Sequence, residues 1–96
     1  MPAFVYILHS ATINKYYIGE TEDIDIRLEQ HTIKTFKGAF TKQASDWELV
    51  WQLACINRSQ ARQIESFIKK MKSSQFILRL INTDSSWLIE KFPVNY

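Results

Sequence analysis

Residues 3–9 alternate, and almost every position on either side of the alternation is apolar or aromatic. Phe4, Tyr6 and Leu8 point one way and Val5, Ile7 and His9 the other, the pattern of a strand buried on both faces. Ser10 to Asn14 interrupts the run with mostly small or polar residues, and Lys15 to Gly19 resumes it as a second, short strand. The two read as a hairpin. A turn centred near Ala11-Thr12 would set Tyr6 opposite Tyr17, with both phenols on one sheet face and Cβ atoms about 4.5–5.5 Å apart. A one-residue slip would part them. The turn carries no Asn-Gly or Gly-Gly pair, so the sequence leaves the register open.

Further along, Thr21 can cap a helix beginning at Glu22-Asp23, with acids in its first turn. In that helix Ile24 and Leu28 form an apolar stripe, and Arg27 and His31 a second stripe four residues apart. The helix is expected to end between His31 and Ile33. Lys34 to Asp46 reads as a basic, mostly irregular connection, and Trp47 to Ile56, rich in aromatic and β-branched residues, as a third strand. Asn57 or Ser59 can cap the next helix. Its apolar face is Ala61, Ile64, Phe67, Ile68 and Met71, with Glu65 at the edge between core and solvent. Ser73 or Ser74 caps a shorter helix carrying Phe76, Ile77, Leu80 and Ile81. Trp87, Leu88 and Phe92 let the tail pack down, and Pro93 ends regular structure. The order is β-β-α-β-α-α. Pattern alone pairs the first two strands antiparallel and does not place the third.

Ninety-six residues make one domain, residues 1–96, which buries roughly two thirds of its unfolded surface. Three Trp, four Tyr and six Phe supply a thin core, at about 150–250 Å² of burial each. Two Gly and two Pro argue against a disordered chain. A net charge of +2 permits a polyanionic partner without demanding one. The lone Cys55, in an apolar run, excludes an internal disulfide framework and reads as an inert buried thiol, in keeping with a reducing cytosol. No apolar run approaches the roughly 20 residues that span a bilayer, so no membrane partner is expected. The opening Met1-Pro2-Ala3-Phe4 lacks the charged start of a secretory leader, and a cytoplasmic location is the expectation.

The spacing of the tyrosine motifs adds a sharper reading. Phe4-Val5-Tyr6 and Tyr17-Ile18-Gly19 stand ten residues apart, followed by "GETEDIDIRLEQH", which runs from a glycine through a threonine and an aspartate to Arg27 and His31. Downstream come "AFTK" (39–42), "ELVW" (48–51) and "ARQIESFIKKMKSSQFILRLIN" (61–82), in which Glu65 precedes Ile68-Lys69. From about Phe4 to Trp87 the chain resembles the GIY-YIG nuclease superfamily, in particular its small stand-alone bacterial members. Phe4 stands where the motif's name has glycine. Asn82 is the nearest match to an asparagine that many members carry late in the domain, although its distance to Trp87 fits the family's tail poorly.

The resemblance implies an α+β fold, a small three-stranded antiparallel sheet flanked by helices. It implies hydrolysis of phosphodiester bonds in DNA, branched, flapped or damaged, in repair or recombination, with one Mg²⁺ or Mn²⁺. Glu65 is the implied metal ligand; one carboxylate suffices because Mg²⁺ keeps several waters. Tyr6 is the implied general base, directly or through a neighbour. A phenol with a pKa of about 10 needs a nearby cation such as Arg27 or Lys15, or the metal, to act near neutral pH. Tyr17 would orient the water or the phosphate, Arg27 would neutralise transition-state charge with its planar fork, and His31 would donate to a phosphate oxygen or share the proton. Lys15, Lys34, Lys37 and Lys42 are candidate contacts to the DNA backbone. The alternative is a catalytically silent nucleic-acid-binding module on the same fold. The small size leaves room for a partner protein that supplies DNA specificity.

Taken singly these residues have plainer readings: packing for the tyrosines, a solvated helix face for Arg27 and His31, a pair with Lys69 for Glu65, and a strand-end residue for His9. Their co-occurrence at the motif spacings reverses that balance.

Overall fold

The computed structural model describes residues 2–26, 44 and 46–94. Strands β1 (Ala3–Ser10), β2 (Lys15–Thr21) and β3 (Trp47–Cys55) form one antiparallel sheet in the order β2-β1-β3. Helices α1 (Arg58–Met71), α2 (Ser74–Asn82) and α3 (Trp87–Lys91) follow. The sheet flanked by helices is the α+β architecture expected from the resemblance. The strand that pattern left unplaced lies on the far side of β1 from β2.

The two-faced alternation of β1 explains its central position. Ala3, Val5 and Ile7 sink into one cluster with Ala61, Ile64 and Ile68 of α1, Ile77 and Leu80 of α2, and Leu88 of α3. On the opposite face Tyr6 and Leu8 join Ala44 and Trp47, with Ile13, Tyr17, Ile24 and Leu49 packed around them. A bulge in β3, between the partners of Ile7 and Leu8, lets one strand serve both clusters. Trp51 and Leu53 pair with Ile7 and Val5 on the helical side, whereas Leu49 and Trp47 pair with Leu8 and Ser10 on the other. The extra residue, Val50, reverses the phase of the alternation.

The hairpin register differs from the one a turn at Ala11-Thr12 would give. The turn spans residues 11–14, and Tyr6 stands opposite Gly19 while Tyr17 stands opposite Leu8. The centre of the turn lies one residue later, between Thr12 and Ile13, so each partner moves by two residues. A shift of two preserves the face, and the phenols become diagonal rather than direct neighbours. Asn14 closes the turn with φ 50, a left-handed conformation that Asn tolerates better than most residues.

Of the alternative caps, the structure selects Asn57 and Ser73, whose side chains accept from the backbone N–H of Gln60 and Phe76. The helix expected from Glu22 starts later. Residues 24–26 are helical, and Asp23, not Thr21, caps them by accepting from the Ile26 N–H at 3.1 Å. Thr21 is committed to β2 by its pairing with Phe4, and its hydroxyl accepts from the Asp23 N–H instead. Gln60, 1% exposed, ties the end of β3 to the tail: its amide oxygen accepts from the Ile56 N–H and its amide nitrogen donates to the Phe92 carbonyl. Cys55 is buried, which pushes its thiol pKa up, as an inert thiol requires. Among the described residues no helix is long and apolar enough to cross a membrane.

Candidate active site at the β2 edge

Two phenols share the sheet face opposite α1. The Tyr6 and Tyr17 ring centroids are 6.2 Å apart and the rings are inclined by 36°. Tyr17 also meets Trp47 edge-on, at 6.5 Å. Tyr6 is 2% exposed, and its ring covers Gly19. A Cβ at position 19 would lie 2.5 Å from Tyr6 Oη, 2.6 Å from Tyr6 Cζ and 3.1 Å from Tyr17 Cε1. The glycine of Tyr17-Ile18-Gly19 is therefore a seat for the first motif's tyrosine. Its φ is not positive, so space rather than backbone conformation requires it.

The carboxylate comes from α1. Glu65 keeps only 18% of its side chain exposed, and the Lys69 ammonium, one turn on, donates to its Oε1 at 2.6 Å. Lys69 in turn lines a cleft of about 260 Å³ with Tyr16, Tyr17 and Ile18. The i, i+4 pair expected of Glu65 is thus present, and it borders the strand that carries the second tyrosine. Around the N-terminus of α1, Arg58 Nε donates to both carboxylate oxygens of Glu20 on β2, at 3.2 and 3.0 Å. Glu22 and Arg62 extend this network at 3.7 Å each. Contact with Glu20 raises the Arg58 pKa.

The structure therefore brings Tyr6 and Tyr17 together and joins Glu65 to their edge of the sheet through Lys69. Lys15 opens β2 and shares a face with Tyr17, two residues on. Arg27, His31, Lys34, Lys37 and Lys42 lie outside the described residues. Asn82 ends α2, and its side-chain amide donates to the Leu78 carbonyl of its own helix. His9 keeps its plain role, bonded to Asn14 at 3.2 Å and stacked on Tyr16.

Sequence reasoning missed Asp46. Its carboxylate accepts from the Ser10 hydroxyl at 2.5 Å and from the Thr12 N–H and hydroxyl at 3.0 and 2.9 Å, clamping the hairpin turn to the start of β3. These bonds, that from Ser10 foremost, lower its pKa from 3.8 to about 2.

No group of three or more His, Cys, Asp or Glu side chains converges among the described residues. The donor set there fits a hard divalent cation bound by one protein carboxylate and otherwise by water and phosphate oxygen. The carboxylate of Glu65 is here paired with the Lys69 ammonium.

The fold and this edge define a small α+β domain with paired phenols and a helix-borne acid beside a single edge strand. The GIY-YIG catalytic domain model matches residues 2–78, and the chain belongs to the GIY-YIG family, a family of nuclease domains. The match includes Tyr6, Tyr17, Arg27, His31 and Glu65 and stops short of Asn82. No curated protein matches the chain. A similar fold is seen in the solution NMR structure of the UPF0213 protein BH0048 from Bacillus halodurans, with a TM-score of 0.53 and 23% identity over 99% of this chain and 100% of that one.

Proposed function

We propose that the chain is a divalent-metal-dependent DNA endonuclease, acting on branched, flapped or damaged DNA. What supports this reading is a family match that spans both tyrosine motifs and Glu65, together with Lys69, the partner of Glu65, lining one cleft with Tyr17. Phosphodiester hydrolysis needs a positioned water, a proton acceptor and neutralisation of charge on the phosphoryl oxygens. Tyr17 lines the cleft, and its hydroxyl would orient a water or the phosphate. Tyr6, packed over Gly19 with its ring centroid 6.2 Å from that of Tyr17, keeps the role of general base, directly or through a neighbour. Glu65 would hold Mg²⁺ or Mn²⁺, which when bound supplies charge neutralisation at the phosphate and a more acidic water. Arg27 and His31 keep the roles their motif positions imply, the guanidinium on the phosphate and the imidazole on a phosphate oxygen or the proton.

The test is incubation of purified protein with Mn²⁺ and labelled duplex, flapped and single-stranded DNA. Wild type is expected to cut at least one of them. Glu65→Ala is expected to cut none while its circular dichroism spectrum is unchanged, because the side chain lies at the core's margin. Turnover by Glu65→Ala equal to wild type would remove the carboxylate from the mechanism. The close Lys69–Glu65 pair is also what a silent binding module would retain. Equal DNA affinity in wild type and variant, with no turnover in either, establishes that second reading.

A further inference from the structure

One flank of α1 carries charges at intervals of four, three and four residues: Arg58, Arg62, Glu65 and Lys69. At 100° per residue these lie within a narrow sector of the helix, beside the buried face formed by Ala61, Ile64 and Ile68. The flank faces β2. Arg58 and Arg62 meet Glu20 near the end of that strand, and Lys69 reaches the cleft at Tyr16, Tyr17 and Ile18 in its middle. The helix therefore runs back along β2, and its C-terminal half leads towards Lys15, the strand's first residue.

The cations on this flank are not equivalent. Arg58 is held by both oxygens of Glu20 and completes the join between helix and sheet. Arg62 touches Glu20 only at 3.7 Å, and its side chain is 64% exposed; that of Lys69 is 53% exposed. Seven residues separate them, about 10 Å of helix, close to the rise of three nucleotides at about 3.4 Å each. Glu65, the candidate metal ligand, sits between them.

Resting on the endonuclease reading above, we infer that the α1 flank is the track for the DNA strand being cut, with Arg62 and Lys69 contacting phosphates about three nucleotides apart that bracket the stretch presented to Glu65. A lone carboxylate on a surface offered to a polyanion is repulsive unless cations flank it, and these two do so. The Lys69 ammonium exchanges its carboxylate partner for a phosphate when DNA is bound. The contacts are to the backbone, so they add affinity and register and no sequence preference.

The test is fluorescence anisotropy of labelled flapped DNA in EDTA, where nothing is cleaved, over a KCl series from about 50 to 200 mM. Arg62→Gln and Lys69→Gln are each expected to weaken binding about three- to tenfold and to reduce the slope of log K against log salt by about one. Arg62→Lys and Lys69→Arg are expected to restore the slope. Arg79→Gln is the control, on α2, which packs on β3 at the other edge of the sheet. Losses no larger for Arg62→Gln and Lys69→Gln than for Arg79→Gln would overturn the track while leaving the nuclease reading intact. Absence of any DNA binding by wild type would overturn the track, and the nuclease reading is tested separately by cleavage with Mn²⁺.

Discussion

At position 19 the chain has a hydrogen where a methyl group would collide with a phenol. The Tyr6 ring lies where that Cβ would be, and Tyr6 is buried among Leu8 and Trp47, so it cannot swing out into water. Gly19→Ala is expected to cost about 1–3 kcal/mol, the usual range for overpacking. If the phenol is the cause, the same substitution in a Tyr6→Leu background should cost far less. Urea midpoints of the four proteins give the coupling directly. An equal cost in both backgrounds would refute the steric account. The tripeptide Tyr17-Ile18-Gly19 was visible in the sequence as a motif. The reason for its glycine was not, because it depends on a side chain thirteen positions earlier and on a register that the turn residues do not specify.

At the scale of elements, the hairpin is fixed by a residue outside it. Asp46 precedes β3 and grips Ser10 and Thr12. Its folded pKa of about 2 lies below the ordinary 3.8, so the carboxylate contributes stability that is fully present above about pH 3.8 and is lost as pH falls through about 2. The melting temperature of Asp46→Asn is therefore expected to fall below that of wild type by a constant gap at about pH 5–7. The gap should close at the acid end, as the wild-type carboxyl becomes protonated. A gap independent of pH down to 2 would show that shape, not charge, makes the clamp. Elements with a local signature were legible: both hairpin strands, the starts of α1 and α2 to within a choice of two caps each, and their apolar faces, apart from Met71, which is exposed. Features that depend on distant partners were not. Asp46 read as part of a loop because its partners lie 34 to 36 residues away, and Gln60 looked like any polar residue of a first helical turn. The Val50 bulge is invisible in Trp47-Glu48-Leu49-Val50-Trp51, since an apolar run reads the same with or without a change of phase.

At the scale of the whole molecule, the sequence proposes the candidate site as a set of types and spacings, and the structure adds that Tyr6 meets Tyr17 and that Glu65 meets Lys69. The tyrosines survived a wrong register because the error was an even number of residues. Glu65 needed α1 laid back along β2, which follows from β1 being shared by two cores. That sharing has a measurable consequence. Trp47 belongs to the cluster with Tyr6 and Leu8, whereas α1, α2 and α3 pack on the opposite face of the sheet. β1, with Val5, Ile7 and Leu8 all at 0% exposure, is common to both. Neither cluster can come apart without exposing the strand that the other needs, so unfolding should be all-or-none. In a Trp51→Phe/Trp87→Phe protein, fluorescence reports only Trp47 on one face, while most of the helix among the described residues, read by far-UV circular dichroism, lies on the other. The two urea curves are expected to superimpose in midpoint and slope. Loss of Trp47 fluorescence at lower urea than the helical signal would show that the phenol-bearing face opens on its own. The tyrosine pair would then belong to a locally unstable layer rather than to a rigid scaffold for the β2 edge.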